Sequence, residues 1–174
     1  MRSEAWTLQH IGAIYAQAGE YDEALERYLA AQALFQQVGY LVGEGRILNG
    51  LGTVYERQGH FEQARRHYEL SEQAFRDTHI DIGIAGALRD QGALDLREGR
   101  LDDARRRYEE CLAMSAQSGT RLGMSDARLL IGELDIACGN HEAAGRWLEE
   151  LRAESAQQKK RPLELKAHHA LSRL

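Results

Sequence analysis

The chain has 174 residues, a formal net charge of −5, a charged fraction of 28% and a hydrophobic fraction of 43%. This balance is typical of a folded chain and excludes one that is mainly disordered. The negative charge argues against non-specific nucleic-acid binding, and no apolar run approaches the roughly 18 residues of a membrane helix. Two cysteines are too few for a disulfide framework, so we expect a cytoplasmic protein.

The first forty residues predict two helices joined by a glycine turn. Gly19 lies where a left-handed residue would end the first helix, and the sequence EYDEAL would open the second with acidic residues near the positive end of its dipole. One face of the first helix carries residues at i, i+3, i+4 and i+7, namely Leu8, Ile11, Gly12 and Tyr15. The inward stripe of the second helix is Ala24, Tyr28 and Ala31.

The same pattern recurs with a period of 40 residues, which predicts a helical solenoid. The columns are Gly12, Gly52, Gly92 and Gly132; Gly19, Gly59, Gly99 and Gly139; Ala24, Ala64, Ala104 and Ala144; and Tyr28, Tyr68 and Tyr108, followed by Leu148. Small residues in the first and third columns indicate a close crossing of two helices. Gly50 has no glycine at the equivalent positions, and the sequence alone gives it no structural role.

These periods divide the chain into repeats at residues 1–39, 40–79, 80–119 and 120–160. The segments QVGYLVGEGR and QSGTRLGMSD predict short glycine-containing turns between helix pairs. Residues 161–174 form either a capping helix or a cut fifth repeat. Because solenoids normally carry polar terminal caps, we expect the chain to be a fragment of a larger protein.

The columns resemble the tetratricopeptide repeat (TPR), with a match over about residues 4–156. The 40-residue form is similar to kinesin light chains, to signalling modulators with Leu-Gly-Asn repeats, and to sensor segments of bacterial transcription activators and signalling ATPases. The resemblance implies an all-α, right-handed superhelical solenoid of about four helix pairs plus a C-terminal helix. It also implies a concave groove lined by the first helix of each pair.

The sequence contains no catalytic constellation, so we predict a protein that is not an enzyme and uses no cofactor. It lacks a phosphate-binding glycine loop, a GxSxG elbow and an HExxH helix, and His60 and His67 have no obvious set of metal ligands. Cys111 lies in a small-residue column, which favours packing. The run RRR at 105–107 is flanked by acidic residues and predicts a solvated, self-compensated face.

The resemblance implies that one face of each first helix lines the groove. The residues expected to contact a ligand on that face are Arg46, Asn49, Thr53, Glu56, Arg89, Ala93, Leu129 and Glu133. Arg46, Asn49 and Arg89 are suited to hold a carboxylate or a peptide backbone through charge-assisted hydrogen bonds. The alternative is that Arg46 and Arg89 pair with Glu56 and other neighbours across the groove.

Two functions follow from this sequence. The first is a non-enzymatic interaction module that binds a peptide or partner segment in the groove. An acidic side chain or C-terminal carboxylate would lie over the middle repeats, and a basic residue toward Asp126 and Glu133. The alternative is a ligand-sensing segment of a larger transcription activator or signalling ATPase. Partners are expected to be proteins or peptides, neither nucleic acid nor membrane, and apolar array ends at Trp6 and Leu171 favour self-association.

Overall fold

The computed structural model describes residues 1–157 and 161–173. All regular secondary structure in these ranges is helical. The helices are α1 (Arg2–Ala18), α2 (Tyr21–Gln37), α3 (Leu41–Arg57), α4 (Phe61–Asp77), α5 (Asp81–Arg97), α6 (Leu101–Gln117), α7 (Arg121–Ala137), α8 (His141–Gln157) and α9 (Arg161–Leu171). The predicted all-α solenoid of four helix pairs and a last helix is confirmed.

Each helix packs against the next one in the chain. Beyond these contacts, the first and second helices of the pairs differ in whether they touch their counterparts in the next repeat. The first helices α1, α3, α5 and α7 contact one another from repeat to repeat, and α7 also contacts α9. Within the described residues, the second helices α2, α4, α6 and α8 make no such contact with one another. Because the first helices lie closer together, the array curves toward them. Their shared surface is called the inner face below.

About every twenty residues, a residue with left-handed backbone conformation follows the end of a helix. These residues occur both within and between the helix pairs. Six of these residues are glycines, which adopt positive φ without a side-chain clash. They are Gly19, Gly39, Gly59, Gly99, Gly119 and Gly139. Gly39 and Gly119 confirm the turns expected between helix pairs. The equivalent residue between the second and third pairs is His79, whose φ is 53°.

At the helix crossing in each repeat, a large side chain of the second helix packs directly against the backbone of a glycine in the first helix. A Cβ atom built at Gly52 would lie 2.6 Å from Cδ1 of Tyr68, and one at Gly92 would lie 2.5 Å from Cε1 of Tyr108. Gly12 stands in the same relation to Tyr28. A Cβ at Gly50 would approach the same Tyr28 ring at 2.7 Å. Gly50 therefore has a structural role, since Tyr28 packs against the backbone of α1 and α3 together.

The third repeat replaces part of this apolar packing with a buried ionic cluster. Asp95 is fully buried and accepts bonds from three arginines of neighbouring segments. Its oxygens lie 2.9 Å from Arg65 of α4, 2.7 Å from Arg100 before α6, and 2.7 Å from Arg107 of α6. Glu98 also pairs with Arg65 and Arg100. The cluster thus ties three consecutive helices together where the repeat lacks its tyrosine.

The arginine run 105–107 is therefore not the solvated face that the sequence indicated. Only Arg106 follows that prediction, since it is 69% exposed and pairs with Asp103 at 2.7 Å. Arg107 bonds Asp95, and Arg105 pairs with Asp135, the buried counterpart of Asp95 in the fourth repeat. The flanking acids in the sequence suggested local pairing, but two of the three arginines reach acids on other helices.

The last helix α9 packs on the end of the array. Ala167 and Ala170 are buried in a cluster with Leu129, Leu148 and Leu151. The sequence of this segment predicts an apolar stripe of Leu163, Ala167, Ala170, Leu171 and Leu174. Leu171 also packs against the cluster. The Leu163 side chain and Leu174 lie outside the described residues.

We predict that Gly52→Leu lowers the free energy of unfolding by about 1–3 kcal/mol or more, because the added side chain collides with the Tyr68 ring. Urea denaturation of the two proteins measures the difference. The control is Arg106→Ala in the exposed part of α6, which should change stability by less than about 0.5 kcal/mol. Equal losses for the two variants would mean that the buried face is wrongly assigned.

We also predict that Asp95→Ala destabilises the chain by about 3 kcal/mol. This is the low end of the range for breaking a buried ion pair, because Arg65 and Arg100 keep Glu98 as a partner. Glu98→Ala is the matched control: it removes a carboxylate from the same arginines at a position that is 25% exposed, and should cost under about 1 kcal/mol. Denaturation curves that shift equally would contradict a central role for Asp95.

Candidate functional site

The predicted groove residues lie on three first helices of the array. Arg46, Asn49, Thr53 and Glu56 belong to α3, Arg89 and Ala93 to α5, and Leu129 and Glu133 to α7. Arg46 is exposed, whereas Leu129 is only 8% exposed and packs in the cluster beneath α8 and α9. The other six are partly buried. The structure thus offers Arg46 most openly to a ligand and Leu129 least.

Asn49 and Arg89 are both held by Asp90, which the sequence analysis did not select. The Asn49 amide donates to Asp90 at 2.8 Å, and the Arg89 guanidinium lies 2.8 Å from the other carboxylate oxygen. The negative charge of Asp90 raises the pKa of Arg89. The Asn49–Asp90 bond joins α3 to α5 across the inner face. Arg89 also has a carboxylate partner, but this partner is its own neighbour on α5 and does not lie across the groove.

Glu56 and Thr53 form a second polar bridge farther along α3. The Tyr68 hydroxyl donates to Glu56 at 2.7 Å and lies 3.3 Å from the Thr53 hydroxyl. Burial raises the pKa of Tyr68, which therefore stays protonated and remains a donor. Glu56 also accepts a bond from Arg97 of α5 at 2.9 Å. The pairing partner of Glu56 is thus Arg97, rather than Arg46 or Arg89.

Arg46 differs from the other inner-face arginines named above. Its guanidinium carbon lies 5.5 Å from the centre of the Trp6 ring, within the range of a cation–π contact. Within the described residues, no carboxylate forms an ion pair with it. Within the same part of the chain, no carboxylate therefore neutralises the charge of Arg46, and its N–H donors can bond to another molecule.

A cavity of about 320 Å³ opens beside Arg46, between α3 and α5. We call it the α3–α5 cavity; its lining includes Val42, Arg46, Asn49, Phe75, Ile82 and Gly86. Apolar side chains and bare backbone form much of the wall, with the guanidinium and the amide as polar groups. This mixture is typical of sites that enclose an apolar group and orient it by a few polar contacts.

A smaller cavity of about 150 Å³ follows between α5 and α7. This α5–α7 cavity is lined by Ile82, Gly86, Arg89, Ser115, Leu122 and Asp126, and also by Cys111. Burial raises the pKa of the Cys111 thiol, which agrees with the packing role expected for this cysteine. Ile82 and Gly86 border both cavities, so the two form one path across α5.

Several residues that line the two cavities, or that bond to residues lining them, were not selected from the sequence. Asp90 was passed over because it occupies the column of Gly50, outside the expected contact face. Ile82 and Leu122 are large apolar side chains that are 59% and 60% exposed. They occupy one column with Val42, at a step of 40, and this apolar column was the available signal.

Two general properties of the described residues bear on the kind of site. Among the described helices, none combines the length and apolar character that a bilayer crossing needs. In the same part of the chain, no group of three or more His, Cys, Asp or Glu side chains is placed to hold a metal ion.

Several solved structures share this fold. Aspartyl phosphate phosphatase F from Bacillus subtilis aligns with a TM-score of 0.91 at 13% identity, over 98% of this chain and 45% of that one. A Podospora anserina protein assigned as a kinesin light chain, with nearly identical TPR-like repeats, aligns with a TM-score of 0.78 at 17% identity. The alignment covers 99% of this chain and 85% of that one. A signal-transduction ATPase with a TPR sensor, PH0952 from Pyrococcus horikoshii, aligns with a TM-score of 0.85 at 10% identity. The alignment covers 98% of this chain and 27% of that one.

At such identities these likenesses show the fold alone. The chain spans less than half the length of the phosphatase and of the ATPase, so their activities belong to larger proteins. A comparison with curated proteins gave no match. Two sequence profiles described as tetratricopeptide repeat match residues 3–77 and 95–168, which together make up most of the chain. The chain belongs to the tetratricopeptide repeat family.

Proposed function

We propose that the inner face binds an extended segment of a partner protein or peptide, with an acidic group at Arg46. The observation that carries this proposal is the α3–α5 cavity with an unneutralised arginine at its edge. Family membership supports an interaction or regulatory module more generally. Arg46 and the cavity wall support the inner face as the surface that carries this role.

The charge pattern determines the direction of the bound segment. Arg89 and Arg97 have carboxylate partners, and Arg46 is the arginine that lines the α3–α5 cavity, so an acidic side chain or C-terminal carboxylate would bind there. Asp126 and Glu133 on α7 make the opposite end of the path acidic. A basic residue of the segment would lie there. Asn49, Thr53, Glu56, Arg89 and Ala93 then shape and support the surface between these ends.

A second candidate is the ligand sensor of a larger regulatory protein. The likeness to the sensor-bearing Pyrococcus ATPase favours it, since that protein carries repeats of this kind. The inner face would bind the ligand in this case too, and the array would report binding to a neighbouring domain. A nucleotide-binding or DNA-binding region encoded in the same gene would favour this candidate. A gene that encodes repeats alone would contradict it.

We predict that Arg46→Ala weakens binding of an acidic peptide by ten- to a hundredfold. A hydrogen bond to a charged group contributes about 1.5–3 kcal/mol, and each 1.4 kcal/mol is tenfold in affinity. The probes are 12-residue peptides selected on the chain from a random phage-displayed library, then titrated by fluorescence anisotropy. Binding should also weaken with added salt, because the inner face is open to solvent.

The matched control is Arg66→Ala, which removes an exposed arginine from the second helix α4. Its affinity for the same peptides should equal that of the wild type, and neither variant should shift the melting temperature by more than a few degrees. Equal affinity of wild type and Arg46→Ala would place the binding surface elsewhere. Failure of the library to yield any binding peptide would also count against the proposal.

A further inference from the structure

The two cavities occupy equivalent positions in successive repeats. Six residues that line the α3–α5 cavity have counterparts forty positions later that line the α5–α7 cavity: Val42, Arg46, Asn49, Phe75, Ile82 and Gly86 correspond to Ile82, Gly86, Arg89, Ser115, Leu122 and Asp126. Moving the six α3–α5 residues back by forty gives a third position between α1 and α3, formed by Arg2, Trp6, Gln9, Phe35, Val42 and Arg46. The array therefore repeats one kind of subsite three times.

The subsite between α1 and α3 is filled by the chain itself. The Trp6 ring lies 5.1 Å from the Phe35 ring and 6.1 Å from the Tyr40 ring, both edge-on. Arg46 covers the indole, and the Arg2 guanidinium lies 4.1 Å from the centre of the Tyr40 ring. The first repeat thus shows that an aromatic ring fits this kind of subsite.

The α5–α7 subsite is open because its large residues are replaced by small ones. Gly86, Ser115 and Thr120 stand where the first subsite has Trp6, Phe35 and Tyr40. The remaining volume of about 150 Å³ is close to that of a cavity that holds one benzene ring. An aromatic side chain from another molecule would restore the packing that the first subsite already has.

Gly86 has no packing role that explains its presence inside a helix. A Cβ atom built there meets nothing within 4 Å, whereas one at Gly52 would collide with Tyr68. Glycine inside a helix costs roughly 1 kcal/mol relative to alanine. Since Gly86 borders both open cavities, the bare backbone of α5 lies where a chain that passes from one cavity to the other must cross.

We propose that a bound segment crosses α5 at Gly86 and inserts one apolar side chain into each open cavity, with an aromatic ring in the α5–α7 cavity. Neighbouring helices pack about 8–10 Å apart, and a polyproline-II segment returns to the same face every three residues, or about 9 Å. The two inserted side chains are therefore three residues apart. The partner is an extended peptide segment with this spacing.

The charges along the path select such a segment rather than a second copy of the chain or a lipid. Arg46 lies at the edge of the first open cavity and Asp126 at the edge of the second. An acidic residue before the first apolar side chain and a basic residue after the second would complement both ends. The inference rests on the proposed function and adds the spacing, the aromatic residue and the crossing point.

The test is Gly86→Trp, which gives the third repeat the residue that fills the subsite in the first. Peptides selected on the wild-type chain from the random 12-residue library serve as probes. We expect them to carry two apolar residues three positions apart, and to bind Gly86→Trp at least tenfold more weakly. Ala113→Trp, at an exposed position of α6, is the matched control and should bind like the wild type.

The melting temperature of each variant shows whether the array is still folded. Gly86→Ala provides a second measurement, because it should raise the melting temperature while it weakens binding about threefold through the methyl group at the crossing point. Wild-type affinity in both Gly86 variants, with weaker binding in Arg46→Ala, would overturn this inference and leave the proposed function standing. Wild-type affinity in all three would overturn both, as would a library that yields no binding peptide.

Discussion

The contact of a tyrosine ring with bare helix backbone is the constraint on which the array depends. Tyr68 and Tyr108 lie so close to Gly52 and Gly92 that even a methyl group would collide. This contact fixes the separation of the two helices in a pair. Because the same crossing recurs every forty residues, consecutive pairs stack in the same way and bring their first helices together. The inner face and its cavities are consequences of that stacking.

The third and fourth repeats show how the array tolerates a loss of apolar packing. Tyr55 packs against the first core cluster, but Asp95 and Asp135 occupy its column and are buried. A lone buried carboxylate would be costly, so each one needs a cation within reach. Arg65 and Arg105 provide it from the preceding second helix, thirty positions earlier in both cases. Leu25 of the first repeat is replaced by Arg65 and Arg105 in the next two repeats. Each of these arginines lies thirty positions before the aspartate that replaces the tyrosine.

The periodic part of the fold could be predicted from the sequence because it is set by local packing. The glycine, alanine and tyrosine columns predicted the helix pairs and their crossings correctly. Pairing between helices could not be predicted, since flanking acids made the run at 105–107 look self-sufficient while Arg105 and Arg107 reach Asp135 and Asp95. Asp90 was missed because it lies in the column of Gly50, outside the expected contact face. Its partners Asn49 and Arg89 were placed on the inner face, but the step that joins α3 to α5 is 41 residues, one more than the repeat.

The columns also separate positions that maintain the fold from positions that differ from repeat to repeat along the inner face. Every repeat has glycine at the crossing, whereas the inner-face column holds Trp6, Arg46, Gly86 and Asp126. The four residues at these equivalent positions differ, so the inner face changes along its length. It carries an aromatic ring at Trp6, a cation at Arg46, bare backbone at Gly86 and an acid at Asp126. A uniform groove would accept an extended chain in either direction. The inner face has distinct ends, so under the proposed function a segment that pairs with both Arg46 and Asp126 would lie in one direction only.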